Sequence, residues 1–298
     1  MNETLDDGLV ADEAAILGWI ETVYAAGIRR PGYPADRFAE RFCAKQFRAF
    51  GLENVRLEPV RLPYWEPRSA SLRVHAAGAA LELPCFPLPH AAAAEGLELE
   101  LAAFDATAAA AVAGKASLYD VPLLRIPPTW PAEQSRGGDG FDRVYDPRGS
   151  FDGALQVLPF GPQFQNVMEP SIEAGAAAFV GALPDYPGDS YRYYVPYDGI
   201  PRPIPGVWIR GSDGQRLRER LAEGPVRVAL RVDAVREEVT CHNVVGELPG
   251  ADEDAVVIGS HHDGPWSSAV EDASGIALVL AQCHYWSQRP RAARPHRL

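Results

Sequence analysis

The sequence predicts an α/β protein interrupted by a β-rich insertion, and three observations carry that prediction. Towards the end of the chain the β-branched run Val256-Val257-Ile258 stops at Gly259-Ser260-His261-His262-Asp263. It is followed by Asp272-Ala273-Ser274-Gly275 and a second apolar run. Buried strand, polar loop and helix in that order form the unit that gathers sites outside the carboxyl ends of strands. The first fifty residues show apolar side chains at helical spacing twice. Between these regions, residues 65–235 carry short apolar runs separated by proline and glycine turns, the texture of a β-rich domain. The texture changes at Trp65 and again at Arg236. The expected organisation is therefore discontinuous, with residues 1–64 and 236–298 in one α/β domain and residues 65–235 inserted.

In chain order, Ala11 to Ala26 places Ile16, Leu17, Ile20, Val23 and Tyr24 on a helical repeat, with Asp12 and Glu13 in the first turn, where the helix dipole favours acids. Gly27 ends it, Arg30-Pro31-Gly32-Tyr33-Pro34 makes a turn, and a second helix is expected from Ala35 to Phe50. A strand follows, from Val55 through Val60. In the middle region Val112 to Tyr119 reads as a turn into a strand, and Glu169 to Gly181 as a helix end passing into a buried strand. Ile204 to Ile209 precedes a polar helix near Gln215 to Ala222, and Val226 to Val232 alternates as a strand. Two loops, Arg125 to Gln165 and the tyrosine-rich stretch Tyr186 to Tyr197, are long enough to frame a cleft or to pack on the surface. Near the C-terminus a buried strand is expected over Ala255 to Ser260. A helix should begin after Ser274 as its cap and carry Ile276, Leu278, Val279, Leu280, Tyr285 and Trp286.

The 298 residues suffice for two domains and a sizeable core, and 47% apolar with 23% charged residues is a globular composition. A net charge of −12 argues against nucleic acid and against anionic membrane as partners. The four cysteines, Cys43, Cys85, Cys241 and Cys283, are scattered without a Cys-x-x-Cys pair, which argues against a thiolate zinc site or thioredoxin-like motif and predicts structural, reduced thiols. The acidic N-terminus has no apolar segment behind it and no stretch is long enough to span a bilayer, which predicts a cytoplasmic protein. Gly114-Lys115 lacks the remaining features of a phosphate loop and reads as a solvated turn.

The chemistry-bearing residues are His261, Asp263 and Asp272. Imidazole nitrogen and carboxylate oxygen are both zinc donors, and a carboxylate has two oxygens, so one Asp can span two ions. A lone His-x-Asp would be read as local hydrogen bonding at a strand end. Here it stands after Asn243-Val244-Val245-Gly246-Glu247-Leu248-Pro249-Gly250 and before Glu271-Asp272-Ala273-Ser274-Gly275. In that order the motifs resemble the co-catalytic zinc exopeptidase family, which includes bacterial zinc aminopeptidases, aminopeptidase Y and glutamate carboxypeptidase II. The resemblance implies a phosphorylase/hydrolase-like α/β/α sheet and hydrolysis of peptide bonds at a chain terminus, of aminopeptidase or carboxypeptidase type. It implies two zinc ions about 3.5–4 Å apart that activate a water and polarise the scissile carbonyl. By position His261 would bind one zinc, Asp272 would bridge both, and Asp263 would orient His261 and raise its basicity. His262 falls on the variable position of the motif. The resemblance implies that the peptide after the bridging Asp is held in the cis form, so Asp272-Ala273 is expected to be cis. The opening helix, Arg-x-Pro-Gly turn and helix are also similar to the start of these enzymes. The middle region, with Gly114-Lys115 before a strand, Ala174-Gly175-Ala176 before another and then Ile204-Pro205-Gly206-Val207, is similar to a protease-associated domain inserted in them.

The resemblance implies further ligands and a general base, a Glu-Glu pair on the next strand. No Asp or Glu follows Asp272, and the tail Arg289 to Leu298 is basic and proline-containing. The expectation is thus a fragment with an incomplete sheet and a partial zinc site, inactive by itself, its uncovered edge at Val256 to Ile258 inviting self-association. His284 and His296 are weighed as replacement ligands and read as ordinary surface histidines. The alternative is a non-catalytic peptide- or protein-binding module with a vestigial metal half-site.

Overall fold

A computed structural model describes residues 6–76, 79–126, 156–157, 165–294 and 296–297. Most of the loop Arg125 to Gln165 lies outside the described residues. The chain is α/β and divides into two compact units, Met1–Tyr64 with Glu237–Leu298, and Trp65–Arg236. Both chain crossings between the units fall within long strands, β1 (Glu53–Ala76) and β10 (Arg227–Glu247).

The first unit opens with two helices. Helix α1 (Glu13–Ala25) starts at Asp12, whose carboxylate accepts the Ala15 N–H at 2.8 Å, and it is followed by Gly27 at φ +104°. Helix α2 (Pro34–Ala49) begins on Pro34, which has no N–H to leave unbonded. Its buried face carries Ala35, Ala39, Cys43 and Phe47, and on the same face Asp36 and Glu40, four residues apart. Cys43 and Phe47 pack with Val23, Ala273, Ile276 and Leu280 into one apolar cluster. Helix α5 (Gly275–Gln288) supplies the last two. In this unit β1 runs beside β10, joined by ion pairs Arg56–Glu247 at 2.9 Å and Arg61–Glu238 at 3.4 Å.

The second unit is built on a mixed sheet. It contains β2 (Ala79–Leu83), β3 (Phe86–Pro87), β4 (Ala94–Ala103), β5 (Ala116–Asp120), β8 (Ala178–Leu183) and β9 (Gly206–Arg210), while β6 (Arg125–Ile126) and β7 (Gln156–Val157) form a separate pair. The order is β2-β1-β10-β4-β5-β8-β9-β3. Strands β4, β5, β8 and β9 are parallel, and β10 pairs antiparallel with β4. Side-chain alternation sends Ala178, Val180 and Ala182 of β8 to one apolar cluster and Phe179 and Leu183 to the other. Burial on both faces is what a continuous apolar run requires. Helices α3 (Glu169–Glu173) and α4 (Gly211–Glu223) complete the unit. From the tyrosine-rich stretch, Tyr193 enters this core, its ring 5.1 Å from that of Trp208.

Two expectations need correction. The run Val256 to Ile258 is not a regular strand: Val257 is 92% exposed, and the segment makes one isolated parallel bridge, Ala255 with Arg297. A strand needs a ladder, and the bonds Val256 N–H to Arg297 O and Arg297 N–H to Asp254 O (both 2.9 Å) are all the bridge supplies. Ser274 does not cap α5. It is itself helical, in a wide turn over Ala269–Ser274, and its hydroxyl bonds back to Val270 O at 2.8 Å. No described helix is long and apolar enough to cross a membrane.

Candidate metal centre

The segment 255–260 and the start of α5 bring His261 and Asp272 together. His261 Nε2 lies 3.7 Å from Asp272 Oδ2 and 3.4 Å from Glu271 Oε1. The other ring nitrogen, Nδ1, is 3.1 Å from both Asp263 Oδ1 and Asp263 O. A carboxylate on Nδ1 fixes the tautomer that leaves Nε2 as a donor to a metal. His261 is half exposed, so Nε2 can be reached from solvent.

Asp272 is fixed by two neighbours. Ser260 Oγ donates to Asp272 Oδ2, and Gly275 N–H donates to Oδ1 at 3.1 Å, so Asp272 and not Ser274 meets the N-terminus of α5. A Cβ on residue 275 would stand 2.3 Å from both carboxylate oxygens. The glycine of Asp-x-Ser-Gly is thereby explained: it makes room for the acid on a helix end. The cis peptide is Glu271-Asp272, before the acid and not after it as expected.

These groups fit zinc as a partial donor set. Zinc takes imidazole and carboxylate donors at about 2.0–2.2 Å, so two donors on one ion stand roughly 3–4 Å apart. The 3.7 Å between Nε2 and Oδ2 lies in that range. The replacement ligands make their contacts elsewhere. His284 packs against Phe50 with ring centroids 5.6 Å apart, and His296 pairs with Asp252 at 3.2 Å.

The residue at the variable position proves to be a partly buried anchor. His262 Nδ1 is 2.8 Å from Asp36 Oδ1, and Nε2 is 3.0 Å from His242 O. Burial pulls this imidazole down, but the Asp36 carboxylate, the His242 carbonyl and the Asp263 charge together outweigh it and the net direction is up. Next to it Glu40 accepts the His242 N–H at 2.8 Å and meets His242 Nδ1 at 3.1 Å. Asp36, Glu40 and Cys241 place ligand atoms within 4.8 Å of one another. Their oxygens are already engaged, and burial followed by the Asp36 charge pushes the Cys241 thiol up to about 12. Asp36, Glu40 and Cys241 thus stand in a hydrogen-bonded network that ties α2 to His242 and His262. The sequence signal for it was two acids at core spacing on α2. The other residue missed by sequence reasoning is Arg29, which is fully buried and bonds the loop after His262.

No protein-family model matches the chain, and no curated protein matches it. Solved structures do. The chain is similar to an aminopeptidase from Aneurinibacillus sp. strain AM-1, with a TM-score of 0.64 and 18% identity over 96% of this chain and 61% of that one. It is similar to a Peptidase M28 precursor from Shewanella amazonensis SB2B, with a TM-score of 0.69 and 19% identity over 96% and 63%. A third is BSAP, a zinc aminopeptidase from Bacillus subtilis, at 0.60 and 15% over 95% and 60%. The chain therefore has the α/β fold of these peptidases, and it spans about three fifths of their length.

Proposed function

We propose that this chain carries zinc-binding groups of a co-catalytic zinc exopeptidase centre, with peptides or terminal amino-acid derivatives as its substrate class. The observation that carries the proposal is His261, held on Nδ1 by Asp263 with Nε2 facing Asp272 at 3.7 Å. His261 and Asp272 would be the ligands, Asp272 shared between two ions, and Asp263 the group that orients His261. Zinc, when bound here, supplies Lewis acidity toward a peptide carbonyl and toward water. Ser260 and Gly275 hold the Asp272 carboxylate in place, and the exposed edge of His261 leaves a substrate room to approach. Trp65–Arg236, with its own cores and its order of strands, would be an inserted domain similar to protease-associated domains.

The same proposal makes this chain by itself inactive. A zinc peptidase centre takes three protein ligands on an ion and a base for the attacking water. Among the described residues, the ionisable groups in contact with His261 besides Asp272 are Asp263, committed to Nδ1, and Glu271, two-thirds exposed.

The test is a zinc titration read by plasma-emission analysis, with cleavage of amino-acid amides and acidic dipeptides followed in parallel. Zinc should bind the wild type, be lost in His261→Ala, and bring no turnover. Equal zinc uptake by the variant would remove the site. Turnover that disappears in the variant would instead show that the chain suffices as an enzyme. Peptide bound without zinc would favour a binding module.

A further inference from the structure

We propose that Arg29 is a positioning residue for the zinc centre, acting through the loop 262–268; the inference rests on the zinc reading above. That loop follows His261, carries Asp263 and leads to Glu271 and Asp272, so its shape sets the spacing of the donors. Arg29 lies between α1 and α2 with its side chain fully buried. Its Nε donates to His262 O at 3.0 Å, the carbonyl between His261 and Asp263. Nη1 donates to Ser267 O, and Nη2 to Ser268 O at 3.0 Å. One rigid group thus holds both ends of the loop. The planar guanidinium has its donors in a fixed fork, which a flexible ammonium does not reproduce.

The main chain and the neighbouring arginine act in the same sense. Gly264 N–H donates to Arg29 O at 2.9 Å and Arg29 N–H to Trp266 O at 3.4 Å. Arg30 Nε donates to Pro265 O at 2.9 Å, and its guanidinium lies 4.8 Å from the Trp266 ring centroid. Gly264 is where the loop comes closest: a Cβ there would meet Glu271 O at 3.2 Å and Arg29 Nη2 at 3.4 Å. The consecutive carbonyls from Pro265 to Ser268 therefore all turn toward the two arginines. Arg29 touches neither His261 nor Asp272 through these bonds; its effect on the donors passes through the loop backbone.

The experiment compares wild type, Arg29→Lys, Arg29→Met and Gly264→Ala in the full chain. Zinc affinity is measured by competition with a chromophoric chelator, geometry by the visible spectrum of the cobalt(II)-substituted protein, and folding by far-ultraviolet circular dichroism. Groups that orient a metal ligand are worth about 10–100-fold in affinity, and a fall of that size is expected in both Arg29 variants, with an altered cobalt spectrum. Gly264→Ala, which leaves every Arg29 donor in place but crowds the fork, should shift both readouts in the same direction. If Arg29→Met does not fold, the lysine and alanine variants decide. Unchanged zinc affinity and cobalt spectrum in the folded variants would overturn the role of Arg29 and leave the zinc reading intact. Wild type that binds no zinc would overturn the zinc reading and this inference together.

Discussion

Asp36 serves two parts of the protein at once. One oxygen accepts the Gly32 N–H at 2.8 Å in the turn before α2, and the other meets His262 beside the candidate ligand His261. The side chain is 1% exposed, so Asp36→Ala would leave a partly buried N–H and a partly buried imidazole without this partner. Urea denaturation should show a loss of about 3 kcal/mol, and Asp36→Asn, which keeps an acceptor, a smaller one. His90 in the second unit gives a pH dependence of definite sign. Burial, reinforced by Arg202 and Arg236 and opposed by Asp198, lowers it from 6.5 to about 4. Between those values the unfolded chain binds more protons, so stability is full above about pH 6.5 and falls as the pH drops toward 4. The loss should reach about 2–3 kcal/mol. His90→Asn, compatible with the positive φ of 58° at this position, should flatten the slope. What was legible in the sequence at this scale was local. His261, Asp263 and Asp272 stand within a dozen residues of one another, in a pattern whose chemistry can be read directly. Asp36 and Arg29 meet their partners across more than two hundred residues, and no short-range pattern announces such a pairing.

Elements were legible where a repeat was clean and lost where pairing decided the outcome. Helices α1, α2 and α4 follow apolar spacing and caps that act within a few residues. Strand β1 runs on to Ala76, well past the expected end at Val60, through Pro59, Pro63 and Pro67. Prolines usually read as breaks, but at even spacing in a strand their missing N–H groups fall on the same edge and can face away from the ladder. At Val256 to Ile258 the opposite happened: β-branched residues gave a strong local signal, and one bridge at Ala255 is too little pairing to make a strand. Packing between elements yields a prediction in the second unit. Gly214 lets α4 lie against β8, where an added Cβ would stand 2.4 Å from the Ala182 Cβ. Alanine gains up to about 1 kcal/mol in helix propensity, whereas overpacking costs about 1–3 kcal/mol or more. A Cβ–Cβ overlap of this size involves no flexible side-chain end that could yield. Gly214→Ala should therefore lower the melting temperature, and an unchanged or higher value would mean that the helix shifts freely.

At the scale of the whole chain, the zinc reading and the division into units meet in one measurement. Val23, Phe47, Ile276 and Leu280 form the core of the first unit, while the two faces of the sheet form separate cores in the second. Units with cores of their own need not unfold together, and a single two-state transition is not expected of such a chain. Calorimetry should resolve two transitions. His261, Asp263 and Asp272 all belong to the first unit. A ligand that binds a folded unit stabilises it by RT ln(1 + [L]/Kd), about 2.7 kcal/mol at a hundredfold excess over Kd. Saturating zinc should therefore raise one transition and leave the other in place, and His261→Ala should abolish the shift without moving the second transition. Gly214→Ala, on the other unit, should lower the transition that zinc does not raise. The two substitutions label the two transitions independently. If zinc and Gly214→Ala were to move the same transition, either the units unfold as one or the metal does not sit at His261, and the effect of His261→Ala on the shift would tell which.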